Sequence, residues 1–285
     1  MSDNAFSIKN LFPIILLVFS IQISSLILTN NFLTVYQSLP SYQPAGSSTS
    51  GSILNSLILI FPTFIITSII LFLLRRKSFL LLKSLLIIAL SVGTFSVSYI
   101  ILSISLPFSN TYIFILSLII CIIPILSLTI IKFNKFQIFS SYILSSLYGT
   151  MLAVFIKPPT IIIIPVAFAL YDIYAVFRGP LKSLVNSSEE SLDLRPLFVN
   201  LGRFNIGTGD LIFYSMIPSS VFLLIDLQSA FLSILFIHVG LVSTLYLLKR
   251  FEIFPGLPIP VTFSLVPYVL FYEKSHYFWK KPYRT

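Results

Sequence analysis

Apolar residues fall along this chain in blocks of about twenty, the length a helix needs to cross a bilayer, and short polar or charged breaks separate the blocks. The pattern predicts nine spans, at 11–29, 53–74, 84–106, 111–131, 136–156, 160–177, 204–225, 229–248 and 257–272. The ninth is short, and Pro255, Pro258 and Pro260 at its front predict an irregular start. The first block, Leu11 to Thr29, follows Lys9 as a signal peptide would. It has no clear small-x-small cleavage site and is long enough to span, so a retained helix is expected. The expected fold class is an all-α polytopic membrane protein with nine transmembrane helices. It forms a single membrane domain over 1–285, with helices one to five in 1–156 and six to nine in 157–285.

Two breaks are long. Residues 30–52 are rich in Ser and Pro and carry no charge, which predicts a flexible outer loop. Residues 178–203 hold Arg178, Lys182, Glu189, Glu190, Asp193, Arg195 and Arg203, a solvated linker between spans six and seven.

Composition agrees with the pattern. The 285 residues are 56% hydrophobic and 9% charged, whereas soluble domains carry about 25% charged residues. A water-facing surface cannot be coated from so few charges. The net charge of +9 does not imply nucleic acid, because the cations sit in clusters between apolar blocks, at headgroup level. Thirteen of the 18 Lys and Arg fall on the side that holds the N-terminus and five on the other. Positive charge stays inside, which predicts a cytoplasmic N-terminus and an outer C-terminus. The single cysteine, Cys121, cannot form an intrachain disulfide or a cysteine metal site. No metal or cofactor is called for.

Seven of the nine acidic residues lie in tails, loops or span ends. Asp172 and Asp210 do not. Each interrupts an apolar block, at a cost of about 2.5–3.5 kcal/mol near mid-membrane, so each is a functional candidate. Span six ends near Arg178, six residues after Asp172, and span seven starts near Arg203, seven residues before Asp210. At about 1.5 Å rise per residue, two antiparallel helices bring both carboxylates to one level, roughly 9–11 Å inside the cytoplasmic boundary. Two carboxylates that meet share one proton. The ionised member can take a proton from water while the protonated member polarises a peptide carbonyl. A proton relay or ion site in a transporter, or structural hydrogen bonding, fits the same two positions.

Three local motifs accompany the pair. Tyr171-Asp172 lies in span six, ahead of Gly179-Pro180-Leu181. Gly207-Thr208-Gly209-Asp210 opens span seven, with Leu211 to Ser215 behind it, and Pro255-Gly256-Leu257-Pro258 precedes span nine. Together they resemble the YD, GxGD and PALP marks of the presenilin and signal peptide peptidase family of intramembrane aspartyl proteases. The resemblance is nearer to presenilin, in the expected order and on the expected spans, and covers roughly 170–275.

The resemblance implies an endopeptidase that hydrolyses peptide bonds within transmembrane segments of other proteins, with Asp172 and Asp210 catalytic. Its partners are those substrates and the bilayer, not nucleic acid. Tyr171, Gly207, Thr208, Gly209, Pro255, Gly256, Leu257 and Pro258 are implied to shape the site. Gly207 and Gly209 would let a second backbone approach Asp210, and Tyr171 would hydrogen-bond near the pair. Gly256 departs from the family's usual Ala, and the 178–203 linker is far shorter than the presenilin loop that is self-cleaved, so autoproteolytic maturation is not carried over. His238 in span eight reads as a hydrogen-bonded packing residue.

The alternatives are a proton- or ion-coupled transporter that uses the aspartate pair, a prepilin-peptidase-like enzyme and an inactive chaperone or scaffold of the same fold. No echo of the GxGD segment in the first half supports the inverted repeats of a transporter. Short loops point to a prokaryotic plasma membrane.

Overall fold

The computed structural model describes residues 8–76, 78–129, 134–177, 198–201, 204–251 and 254–271. With no water in the hydrocarbon to satisfy the backbone, apolar blocks form helices, whose hydrogen bonds are internal. They are α1 (Ile8–Asn30), α2 (Thr49–Arg75), α3 (Phe79–Ser105), α4 (Asn110–Thr129), α5 (Asn134–Phe155), α6 (Thr160–Phe177), α7 (Thr208–Leu224), α8 (Leu227–Arg250), α9 (Pro258–Ser264) and α10 (Val266–Leu270). Among the described residues seven helices, α1 to α6 and α8, are long and apolar enough to cross a membrane. The apolar stretches Thr208–Leu224 and Pro258–Leu270 are shorter.

α7 sits at the centre. Ser215, Met216, Ile217, Ser219 and Val221 are buried, and the helix packs against α1, α5, α8 and α9. α6 packs on α2 and α9, while α3 and α4 pack mainly on each other. Close approach depends on small residues. A Cβ on Gly240 of α8 would fall 2.5 Å from the Pro260 Cα of α9, and one on Gly149 of α5 would fall 1.9 Å from Ser215 Oγ of α7.

Pro218 shapes the middle of α7. It has no N–H, so the Tyr214 carbonyl one turn earlier loses its intrahelical donor. Gln22 of α1, fully buried, supplies a replacement: its Nε2 donates to the Tyr214 oxygen at 3.1 Å.

The structure corrects four sequence expectations. Span seven does not begin at residue 204. Phe198–Leu201 (β1) and Phe204–Gly207 (β2) form an antiparallel hairpin, and the helix starts at Thr208. Hydropathy runs on through Phe204 and Ile206 and hides the change, whereas Gly207, extended at φ −65° and ψ 134°, ends the strand and caps the helix. The same hairpin removes 198–201 from the expected solvated linker; 178–197, with Gly179, Pro180 and the linker's charges except Arg203, lie outside the described residues, as does Arg203 itself.

Span nine is two short helices that meet at Leu265, with Pro267 in the first turn of the second. Residues 255–257 are irregular, as the prolines predict, and the helix begins at Pro258.

The 30–52 connection is held in place, not loose. The Tyr42 N–H donates to the Phe155 carbonyl at 2.9 Å, Gln43 Nε2 donates to the carbonyls of Lys157 and Pro158, and Phe32 is fully buried.

Candidate active site

Asp172 lies on α6, five residues before the helix's described end, and Asp210 lies in the first turn of α7. Their helices make little direct contact; the segment before α9 joins them. The Leu257 N–H donates to Asp172 Oδ2 at 3.1 Å, with the Gly256 amide close to the same carboxylate. Asp210 reaches the other side of that dipeptide. A Cβ on Gly256 would stand 2.3 Å from Asp210 Oδ2 and 3.0 Å from its Cγ. Both carboxylates therefore meet at Gly256–Leu257, near enough for the charge of one to act on the other. Both side chains are half-buried.

This contact explains the glycine at 256. The alanine expected from the resemblance would put its methyl where the Asp210 carboxylate now rests, and one of the two would have to move.

The remaining sequence candidates divide. Gly207 borders Asp210: a Cβ there would be 3.5 Å from Oδ2, an ordinary contact, so the position has room for a methyl. Gly209 has open space on its side, with nothing within 4 Å of a built Cβ. Thr208 is buried with Oγ1 3.4 Å from Ser141 Oγ of α5. Pro255 and Leu257 are buried, and Pro258 begins α9. Tyr171 departs from expectation. Its ring meets Phe64 of α2 edge-on at 4.9 Å between centroids, and its hydroxyl lies 3.4 Å from Thr67 Oγ1, so it faces α2 and not the aspartates. On a helix, adjacent residues point in different directions, and Asp172 has the inward one. His238 meets the carbonyls of Ile234 at 2.8 Å and Ile15 at 3.3 Å, as expected of a packing residue.

Sequence reasoning passes over two residues at this site. Tyr214 is almost fully buried, and its hydroxyl donates to the Gly256 carbonyl at 2.8 Å. Its signal is spacing: four residues after Asp210, it lies on the same helix face. Gln22 is signalled only by Pro218, which implies an orphan carbonyl without naming its donor. Among the described residues no group of three or more His, Cys, Asp or Glu is placed to hold a metal ion.

No family model matches the chain, and no curated protein matches it by sequence. Solved structures do match. A presenilin family intramembrane aspartate protease in the C222 space group superposes with a TM-score of 0.65 at 18% identity, over 91% of this chain and 97% of that one. A structure of a presenilin family intramembrane aspartate protease in the P2 space group gives 0.61 at 18%, over 90% and 94%. At this identity the likeness speaks to the fold. The chain is a multi-pass integral membrane protein with the presenilin-family fold.

Proposed function

We propose that this chain is an intramembrane aspartyl endopeptidase that hydrolyses peptide bonds within transmembrane segments of other proteins, with Asp172 and Asp210 as its catalytic pair. One observation carries the proposal: two carboxylates from different helices converge on one dipeptide, Gly256–Leu257. One proton shared between them supplies both a base and an acid. The ionised carboxylate takes a proton from water as the oxygen attacks the scissile carbonyl, and the protonated one hydrogen-bonds the carbonyl oxygen. Collapse of the tetrahedral intermediate breaks the C–N bond and returns a proton to the leaving nitrogen. No covalent intermediate is needed.

In this reading nine helices cross the membrane, the short α7 and the broken α9–α10 pair included, with the N-terminus cytoplasmic. Gly207, Thr208 and Gly209 form the strand-to-helix corner that presents Asp210, while Pro255 and Pro258 keep the segment between them irregular. Irregular backbone at membrane depth is tolerated where it lines a protein-walled or watery cavity.

The hairpin gives the substrate a place to unwind. The register pairs Leu201 with Phe204 and Asn200 with Asn205, and in an antiparallel pair every second residue of β2 turns its backbone groups to the outer edge, away from β1. A substrate strand added to that edge is delivered one helical turn from Asp210.

The test is purified protein in lipid vesicles with a single-span substrate, read by mass spectrometry of the products. Scission inside the apolar segment, blocked by a hydroxyl-bearing transition-state mimic of aspartyl proteolysis, is expected. Intact substrate, with an ion flux that depends on Asp172 and Asp210, would replace the protease with a transporter.

A further inference from the structure

Tyr214 is tied at both ends. Its backbone carbonyl, orphaned by Pro218, accepts from Gln22 of α1 at 3.1 Å, and its hydroxyl donates to the Gly256 carbonyl at 2.8 Å. Gln22 and Tyr214 are both buried, at 0% and 1% exposure, so neither bond is traded freely with water. Gly256 is the residue against which Asp210 rests, and its peptide unit leads into the Leu257 N–H that binds Asp172. A peptide plane is rigid. Fixing the Gly256 carbonyl therefore fixes the direction of the Leu257 amide on the far side of the same plane, and that amide is the donor to Asp172.

We infer that Tyr214 is a positioning residue for the aspartate pair: through the Gly256–Leu257 peptide its hydroxyl sets the orientation of the amide that holds Asp172, on the same helix face that carries Asp210. The inference rests on the proposed protease reading for its catalytic consequence, but the physical linkage can be tested without it. Tyr214 does not touch the reacting atoms. Gln22 fixes the height of α7 from which the hydroxyl reaches, so α1 joins the site through Tyr214.

Tyr214→Phe removes one oxygen and keeps the ring. The first readout is hydrogen exchange of the Gly256 and Leu257 amides in the full-length protein in detergent. Loss of one neutral hydrogen bond, roughly 1.4 kcal/mol at its upper range, corresponds to about tenfold faster exchange. Exchange elsewhere in α7 and α8 is expected to stay the same. The second readout is kinetic: kcat falls roughly 10- to 100-fold, as for a displacement of about an ångström, while KM stays within about threefold. Gln22→Leu, which leaves the Tyr214 hydroxyl intact, moves both readouts the same way by a smaller factor, and serves if Tyr214→Phe does not fold.

Unchanged exchange at Gly256 and Leu257 in Tyr214→Phe overturns the inference, whatever the activity. A uniform rise in exchange across α7 and α8 with kcat unchanged also overturns it, because the residue is then only packing. Should the wild type fail to cleave any substrate, the protease reading falls while the exchange measurement still decides the linkage.

Discussion

In α2, α3 and α4 most serine and threonine hydroxyls turn back onto their own helix, although Ser52 of α2 also accepts from Thr160 of α6 at 3.0 Å. Thr67, Ser68, Ser84, Ser91, Ser96 and Ser117 each donate to the carbonyl four residues earlier. In α1, α5 and α7 the same residue types reach across. Ser25 bonds Thr150 at 2.9 Å and Ser219 at 2.7 Å, Ser215 donates to the Ser145 carbonyl at 2.8 Å, Ser24 meets Tyr142, and Gln137 donates to Phe198 at the hairpin. Burial follows the same division: 11% of the α2 span is buried against 56% of the α5 span. Lipid is as apolar as leucine, so burying apolar surface does not pull helices together in a bilayer. What distinguishes the central helices is close approach and cross-helix hydrogen bonding. Asp210 belongs to that half of the molecule, while Asp172 stands on α6, between α2 and α9, and is tied to it through the Leu257 N–H.

The comparison can be broken most severely at Gly240. A larger side chain would strike the Pro260 backbone, which cannot swing aside, and overpacking of this kind costs about 1–3 kcal/mol. Gly240→Leu is expected to lower the thermal midpoint and displace α9 together with Gly256–Leu257; an unchanged midpoint would show that the packing is slack. Gln22→Leu should cost about 1–3 kcal/mol, since it strands the Tyr214 carbonyl. Denaturation in mixed micelles reads this directly.

Gly256→Ala is expected to leave stability nearly alone, because the atom it meets is the mobile end of Asp210, yet to reduce kcat about tenfold as that carboxylate is moved. A tenfold change in rate is about 1.4 kcal/mol. Full activity would mean that Asp210 works from another rotamer.

Of a different kind is a pH effect at the opposite end of the core. Lys157, in the α5–α6 connection, is buried, and burial lowers its ammonium to about 7. The Tyr36 carbonyl, an acceptor for its Nζ, and the Tyr36 ring, 3.1 Å from Nζ to centroid, act in the opposite sense by favouring the charged form. Between about pH 7 and 10.5 the unfolded chain holds a proton that the folded chain has lost, so stability rises with pH across that window. The slope is at most about 1.4 kcal/mol per pH unit. Below pH 7 both forms are protonated and the slope vanishes. Lys157→Met should flatten the profile; an identical slope would remove Lys157 as its source.

At the other extreme, Ser96→Ala in α3 removes a bond the helix makes to itself, and a change within about 0.5 kcal/mol is expected.

Much of this was legible from hydropathy alone, and the reasons it stopped are physical. Span six is read at 160–177, matching Thr160–Phe177, because Lys157 and Pro159 before it and Arg178 after it break the apolar block. Asp172 and Asp210 stand out because charge is scarce there. Hydropathy cannot separate strand from helix when both are apolar, so Phe204 and Ile206 were absorbed into a helix that begins at Thr208. It cannot give direction either: Tyr171 and Asp172 adjoin, yet one faces α2 and the other Leu257. Nor can it pair Gln22 with Tyr214, which lie 192 residues apart and meet only through the bundle.

The central claim is that two acids, one on each of two helices, form a single chemical unit. Its most direct measurement is cleavage of a single-span substrate in vesicles by the wild type, Asp172→Asn and Asp210→Asn, with hydrogen exchange confirming that both variants stay folded. A loss of at least about a thousandfold in each single variant, with no further loss in the double, is predicted of residues that act as a unit. Cleavage surviving in either variant contradicts the claim.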